Sequence, residues 1–435
     1  MSDATIGLLG FAGLFALMGV GVPVGVAMLV TGFLGSLAIT GLTSAAYTLS
    51  GQTFASASMY ELSVLPLFIL MGNLASASGL SRDLYDAAYR WIGHVRGGLA
   101  GATVVGCAGF AALSGSSIAS AVTMGRVSYP SMRRYKYGGR LATGSIAAGG
   151  TLGILIPPST GFVLYAILTE QSIGQLFIAG VLPGLMLMGL FLAAIAIVVR
   201  LRPAEGPRGP VFTLGERLAA TRRATGIFAI ILLTIGGIYA GIFTPVEAAG
   251  VGAAFAAIML VLRGGLSRPT VSAVLRDSLK TTGMSFLILI GAKVFAPFIA
   301  LSGLPGMVAE TLTGMGLGAY GTLIVILILY ALLGMVIEGL SLLVITLPIV
   351  FPVIIGFGFD PIWFGVIMVI VLEMGLISPP VGVNCFVVST IARDVRLETV
   401  FAGVMPFWAA MMIAVALLVL VPDIALLLPN AMFSR

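Results

Sequence analysis

From Ala4 to Tyr60 the chain carries no Asp, Glu, Lys or Arg. Nothing in the sequence constrains the fold more, because about 20 apolar residues already suffice to cross the hydrocarbon core of a bilayer. The rest of the 435 residues follow suit, with 59% hydrophobic and 9% charged side chains, where a soluble domain needs about a quarter charged. In lipid every backbone polar group must be satisfied within protein, so the chain reads as an all-α polytopic membrane protein. No basic segment precedes the first apolar run, which is therefore expected to remain as a helix and not to be cleaved as a signal. Cys107 and Cys385 lie far apart in apolar runs and form neither a disulfide framework nor a CxxC metal site. The net charge of +6 is distributed with the membrane and is no nucleic-acid signal.

The basic residues give the topology. Twenty of the 22 Lys and Arg fall into five clusters: Arg82 to Arg96, Arg126 to Arg140, Arg200 to Arg223, Arg263 to Lys280, and Arg393 to Arg396. Basic loops stay in the cytoplasm; the acidic connections at Asp3, Glu170, Glu310, Asp360 and Asp423 are placed outside. Ten crossings result, near 5–21, 23–41, 61–81, 141–168, 175–200, 225–242, 245–262, 281–303, 361–392 and 399–421, with both termini outside. The basic, amphipathic stretch 82–96 is expected to lie along the inner interface. Residues 97–125 are flanked by Arg96 and Arg126 and are too few for two crossings, which need about 40. They read as a re-entrant hairpin with Ser114-Gly115-Ser116-Ser117 at its tip. Residues 311–359, between Glu310 and Asp360, read as a second hairpin entering from outside, although their length also admits two crossings.

The chain also looks duplicated. Pro23 and Pro245 are 222 residues apart, as are Pro157-Pro158 and Pro379-Pro380, while Gly115 and Gly339 are 224 apart. A shared offset marks a repeat, and one copy starts outside and the other inside, so the two are inverted. Inverted repeats with broken helices and re-entrant hairpins belong to secondary transporters, whose sites lie near the midplane between the copies. The expected organisation is scaffold helices and interfacial arm (1–96), transport core (97–201, with broken helix 141–168), basic cytoplasmic linker (202–224), second scaffold (225–310) and second core (311–435, with broken helix 361–392).

A proline lacks an N–H and clashes with the carbonyl four residues back. Pro157 and Pro158 therefore free the carbonyls of Gly153 and Ile154, and Pro379 and Pro380 those of Gly375 and Leu376. Such carbonyls survive at membrane depth only inside protein or against a ligand, and neutral oxygens are what hard cations prefer. The hydroxyls of Ser114 and Ser117, or of Ser341 and Ser378, are placed to complete a shell for a small monovalent cation. One proline pair would serve equally as a packing kink; two, at repeat-related positions beside polar tips, point to a site. The helix halves after each break and the returning arm of each hairpin aim positive N-termini inward, which favours an anionic substrate. Ser159, Thr160 and Asn384 are placed to donate to it. Lys293, Glu338 and Glu373 lie at membrane depth, where ionisable residues mark function. Glu338 adjoins the second tip, Glu373 is read as bracing the second break, and Lys293 as meeting substrate carboxylate or neutralising Glu338 or Glu373. Glu247, at the entry of its helix, reads as an N-terminal capping or scaffold residue.

Six segments carry a family resemblance: LPLFILMGNLASASG (65–79), SGSSIASAVTMG (114–125), GGTLGILIPPS (149–159), TPVEAAGVG (244–252), EGLSLLVITLPIVFPV (338–353) and EMGLISPPVGVN (373–384). With them the chain resembles, over nearly its whole length, the large membrane subunit (DctM type) of tripartite ATP-independent periplasmic, or TRAP, transporters. The resemblance implies an elevator-type importer of the bacterial inner membrane, coupled to sodium (Na+) and taking up carboxylates such as C4-dicarboxylates, sialic acids and other sugar or keto acids. It implies two partners: a small membrane subunit (DctQ type) of about four helices, expected here as a separate polypeptide, and a soluble periplasmic substrate-binding protein (DctP type). Matched onto this sequence, one sodium site uses Ser114, Ser117, Gly153, Ile156 and Pro158, and another Gly339, Gly375, Ser378 and Val381. Ser159, Thr160, Lys293, Glu338, Ser341 and Asn384 are the substrate candidates. The chain departs from many relatives in carrying Glu338 where they have Asp.

Other readings compete. A stand-alone sodium/anion symporter of the same architecture would work without a binding protein. An intramembrane enzyme needs a catalytic pair at depth, and the sequence offers no GxGD, no HExxH and no His at depth. A channel would not require paired, repeat-related breaks.

Overall fold

The computed structural model describes residues 2–433, and among them all regular structure is helical apart from one isolated bridge between Arg96 and Arg208. The first half holds α1 (Asp3–Gly19), α2 (Val24–Thr40), α3 (Leu42–Ser58), α4 (Val64–Ala77), α5 (Leu80–Ile92), α6 (Gly98–Ser114), α7 (Ser117–Arg134), α8 (Gly139–Leu155), α9 (Thr160–Thr169) and α10 (Ile173–Leu201). After a loop come α11 (Leu214–Arg223), α12 (Thr225–Ile231), a π-turn over Leu232–Gly236 and α13 (Gly237–Tyr239). The second half continues with α14 (Pro245–Leu262), α15 (Arg268–Leu301), α16 (Leu304–Gly314), α17 (Gly318–Gly334), α18 (Gly339–Gly356), α19 (Pro361–Leu376), α20 (Val383–Ile391), α21 (Leu397–Leu420) and α22 (Asp423–Phe433).

Among the described residues seven helices are long and apolar enough to span a bilayer, or eight if the 50° bent pair 214–223 and 225–239 counts as one. Six of the ten expected crossings contain such a helix, and the bent pair supplies a seventh. The crossings expected near 5–21 and 23–41 are helices of 17 residues, and 361–392 is split between α19 and α20. Conversely α18, inside the expected second hairpin, is long enough to span by itself. Four helices were not expected: α3, whose run of Ser, Thr, Gly and Ala is too polar to read as a span, α11 within the basic linker, α16 between the crossing ending at 303 and the second hairpin, and α22 beyond the last crossing.

The helices sort into two packed groups. In one, α2 lies along α15, and α14 along α4. Small residues permit the first contact: a Cβ on Gly25 would come within 2.4 Å of the Leu287 carbonyl oxygen, and one on Gly291 within 2.4 Å of that of Gly25. Close backbone approach is how helices associate where lipid removes any hydrophobic drive. The other group is built round α8 and α19, with α6, α7 and α21 on α8, and α17, α18 and α10 on α19.

The packing makes the duplication visible. Residues 117–134 (α7) and 339–356 (α18) correspond at an offset of 222 at both ends. The contacts swap as two facing copies require: α2–α15 mirrors α14–α4, α9–α18 mirrors α20–α7, and α21–α8 mirrors α10–α19. The correspondence corrects one landmark. Gly115 and Gly339, 224 apart, are not equivalent; the residue capping α7 is Ser116 and the one capping α18 is Glu338, 222 apart.

The basic arm α5 is tied down by ion pairs. Asp83 pairs with Arg263 at the end of α14, while Asp86 holds Arg90 at 3.1 Å and Arg223 of α11 at 2.8 Å. Thr244 and Glu247 form a capping box at the start of α14, and of the two roles open to Glu247 this selects the cap.

Candidate functional site

Each repeat presents one interrupted hairpin and one broken helix. In the first, α6 stops at Gly115, whose φ of +59° needs a residue without a Cβ. The chain restarts at Ser116, whose hydroxyl accepts from Ala119 N. The tip extends as expected, but its second arm, α7, runs to Arg134, beyond the end expected at 125. Next to it, α8 ends at Leu155, the chain is extended at Ile156, and the Pro157-Pro158 bond is cis. Ser159 then caps α9 by accepting from Phe162 N at 3.2 Å. Thr160 ties the two interruptions together, donating through Oγ1 to the Gly115 carbonyl at 2.8 Å.

Oxygens crowd this junction. A Cβ on Gly153 would meet the Ser116 carbonyl oxygen at 2.5 Å and Ser120 Oγ at 2.7 Å, and one on Gly115 would meet the Pro158 carbonyl oxygen at 2.8 Å. Ser114 Oγ lies 2.9 Å from Ser120 Oγ. Ser114, Ser116, Ser120, Gly153 and Pro158 thus bring hydroxyl and carbonyl oxygens close together, with Ser117 next in the chain, and neutral oxygens of this kind suit a hard monovalent cation. Ile156 packs its side chain against Gly184 of α10. Ser120 was not among the residues expected from sequence, and Ser116 only as part of the tip, although a serine three residues after Ser117 shares its helix face.

In the second repeat α17 and α18 are interrupted over residues 335–338, and Glu338 caps α18. Its carboxylate accepts from Leu340 N at 3.2 Å, Ser341 N at 2.9 Å and Ser341 Oγ at 3.0 Å. The α19 break differs from expectation. The Gly375 carbonyl is not freed, because the chain tightens into a turn and Ser378 N donates to it at 3.0 Å. Ser378 Oγ donates to the Met374 carbonyl at 2.6 Å. Gly339 and Gly375 both lie beside the end of α19, Gly375 against the backbone of Gly334, while Val381 is exposed.

A cavity of 610 Å³ lies between the two packed groups, where α15 and the start of α2 face both tips. Ser116, Ser117, Thr160, Glu338 and Ser341 line it from the interrupted helices, and Thr281 and Ser285 from α15. A smaller space of 150 Å³ continues from it between Asn73 of α4 and the first tip. Thr281 and Ser285 are one helical turn apart, a signal readable only once α15 is known to face the tips. Glu338 is the single charged residue of the larger lining.

Two substrate candidates sit elsewhere. Asn384 is fully buried in α20 with its amide nitrogen 3.5 Å from the Ala147 carbonyl, and it lines neither space. Lys293 meets neither Glu338 nor Glu373; its amino group donates to the Ile167 carbonyl at 3.2 Å, near the C-terminal end of α9. That carbonyl lies in the last turn of the helix, where a cation is favourable. Glu373, buried in α19, instead takes the hydroxyl of Ser117.

Comparison with known proteins decides the family. The family described as "Tripartite ATP-independent periplasmic transporter, DctM component" matches residues 11–424. The chain belongs to the DctM family. It is a large permease of the TRAP type, a transporter component and no enzyme. Among its DctM relatives, the C4-dicarboxylate TRAP transporter large permease protein DctM of Pseudomonas aeruginosa is 37% identical, covering 88% of this chain and 89% of the relative. The sialic acid TRAP transporter large permease protein SiaM of Vibrio cholerae is 32% identical over 96% of this chain and 97% of its own. The crystal structure of the Alcanivorax borkumensis YdaH transporter, described as having an unusual topology, shares the fold with a TM-score of 0.61 at 17% identity, covering 89% of this DctM chain and 88% of the YdaH chain.

Proposed function

We propose that this chain is the membrane-embedded pathway of a sodium-coupled importer of small organic acids in the bacterial inner membrane. Its termini face the periplasm, a soluble periplasmic binding protein delivers the solute, and a small membrane subunit of about four helices completes the assembly. The group containing α1–α4 and α12–α15 is the scaffold, and the group of interrupted helices, α6–α10 and α17–α22, is the core that carries solute across in an elevator movement. One observation carries this reading: the cavity lies on the seam between the two groups, and both tips open into it. A site placed there changes side when one group slides along the other.

The residues divide the work. Ser114, Ser117, Ser120 and the carbonyls round Gly153 and Pro158 hold a sodium ion, and the end of α19 with Gly339 offers a second position. Sodium supplies the positive charge that the cavity lining lacks, so a carboxylate can rest beside Ser116 and Thr160 without a basic side chain. The N-termini of α7 and α9 favour the same anion. With basic loops inside, Pro23 and Thr281 lie toward the cytoplasm, which supports reading this conformation as inward-facing.

Uptake of labelled organic acids into proteoliposomes holding this chain and its small partner tests the proposal. Uptake that requires both an inward sodium gradient and the cognate binding protein is the expected result. Sodium-driven uptake that ignores the binding protein would make the chain a stand-alone symporter, and uptake indifferent to sodium would remove the coupling ion.

A further inference from the structure

Glu373 on α19 is 2% exposed, and Ser117, at the start of α7, is 1% exposed. Ser117 Oγ lies 2.7 Å from each carboxylate oxygen, so one repeat grips a hydroxyl of the other. A carboxylate withdrawn from water costs several kcal/mol unless opposite charge compensates it. Among the described residues the ion pairs involve Asp83, Asp86 and Asp394, and none reaches Glu373. Lys293, the basic residue at membrane depth, is engaged by Ile167. A bound cation supplies that charge; the alternative is a protonated, neutral carboxyl, which Glu373→Gln imitates in the test below. A hydroxyl that donates its proton keeps its lone pairs for such an ion, and beside Ser117 lie the oxygens that crowd Gly153 and Gly115.

We propose that Glu373 is a positioning residue for the first sodium site. It accepts the Ser117 proton, fixes the orientation of that oxygen and supplies the negative charge that the neutral donors lack. Carboxylates behind metal-binding side chains act in this way elsewhere. The assignment rests on the sodium reading above and adds to it that the first site is built by both repeats. The second site has no such support: 222 residues earlier, Thr151 stands in place of Glu373 and bonds the Ala148 carbonyl of its own helix, and Gly339 stands in place of Ser117. The two sites are therefore unequal in construction.

The test is sodium-dependent thermal stabilisation of the full chain in nanodiscs, with potassium replacing sodium at constant ionic strength. Glu373→Gln keeps the shape and an acceptor oxygen but removes the charge. It is expected to raise the midpoint sodium concentration about 10–100-fold. Ser117→Ala is expected to do the same, and the double variant no more than the worse single, because the two act as a unit. Glu373→Asp, which keeps the charge, should fall between and serves if the Gln variant does not fold. Thr151→Val should leave the midpoint unchanged. A Glu373→Gln protein with lowered Tm but the wild-type sodium midpoint would reduce the residue to a brace and overturn the assignment alone. A wild-type chain that sodium does not stabilise would remove the sodium reading itself, and this assignment with it.

Discussion

The two repeats share a backbone plan at an offset of 222 residues and differ in what they place on it. The first closes its interruptions with small neutral groups: Ser116 caps α7, Ser159 caps α9, and Thr160 bonds Gly115. The second supplies charge. Glu338 stands opposite Ser116, Glu373 opposite Thr151, and Lys293 opposite Met71. Two of these three charges reach across to the first repeat, Glu373 to Ser117 and Lys293 to the Ile167 carbonyl. A duplicated chain in lipid needs both copies to satisfy their own backbones, which preserves the breaks. Only one copy needs to carry the charges, since a second set would double the desolvation cost at the shared seam.

The largest expected effects come from the glycines that both copies retain. Gly153 and Gly375 are 222 apart, and a Cβ on Gly375 would lie 2.4 Å from the Gly334 carbonyl carbon. In an open helix Gly→Ala gains about 1 kcal/mol; here the added carbon meets backbone that cannot rotate away. Gly375→Ala and Gly153→Ala should each cost about 3 kcal/mol, the upper end for overpacking, seen as lost yield and lowered Tm. A stable, fully active Gly153→Ala protein beside a collapsed Gly375→Ala one would show that only the second break is built on backbone contact.

Removing the caps should separate the copies more gently. Ser116→Ala deletes one neutral acceptor and is expected to cost about 1 kcal/mol. Glu338→Ala leaves two backbone donors of α18 without their acceptor and removes a charge from a helix N-terminus, so about 2 kcal/mol is expected. Thermal unfolding of the two variants ranks them; equal losses would mean that the charge on the second tip contributes nothing to holding it.

Lys293→Met tests the contact between the packed groups. It exchanges an ammonium at membrane depth for an apolar chain of similar length, and the carbonyl left behind offsets part of that gain, so stability should change by less than about 1 kcal/mol. If the core slides along α15, the contact holds one position, and its loss should shift the equilibrium away from that position by about fivefold, as roughly 1 kcal/mol implies, read as reduced labelling of a cysteine at Ser341 from the cytoplasmic side. Native Cys107 and Cys385 are buried and do not compete for reagent. Unaltered labelling would reduce Lys293 to a helix cap.

How much of this was legible in the sequence follows the physics of each signal. Charge placement is read by the bilayer itself, so the long spans, the basic arm and the first hairpin could be located from Lys and Arg alone. The proline pairs located both broken helices because a missing N–H acts locally. Side-chain pairing across the seam was not legible: Ser117 and Glu373 are 256 residues apart, and no periodicity links them. Lys293 was matched to carboxylates because an ion pair is the obvious partner for a buried ammonium, whereas the structure gives it a helix end. Equivalence of Ser116 with Glu338 was hidden because a cap is defined by its oxygen and backbone, not by residue type.

The smallest expected effect lies at the surface, where the same asymmetry recurs. Asp394, after α20, accepts from Tyr129 and pairs with Arg133 at 2.7 Å, both on α7, whereas its counterpart in the first repeat, Ser172, merely caps α10. The Tyr129 hydroxyl, with Arg133 assisting, holds the Asp394 carboxyl below its ordinary range. A depressed carboxylate contributes stability above its unfolded pKa, about 3.9, and loses it as pH falls through the folded value. Because the pair is about half exposed, Asp394→Asn should cost only about 0.5 kcal/mol at neutral pH. The difference from wild type should vanish once the pH is well below 4, and high salt should shrink it. A loss that persisted unchanged in acid would mean that the loop is held to α7 by shape, and that the charge asymmetry of the two repeats ends at the membrane.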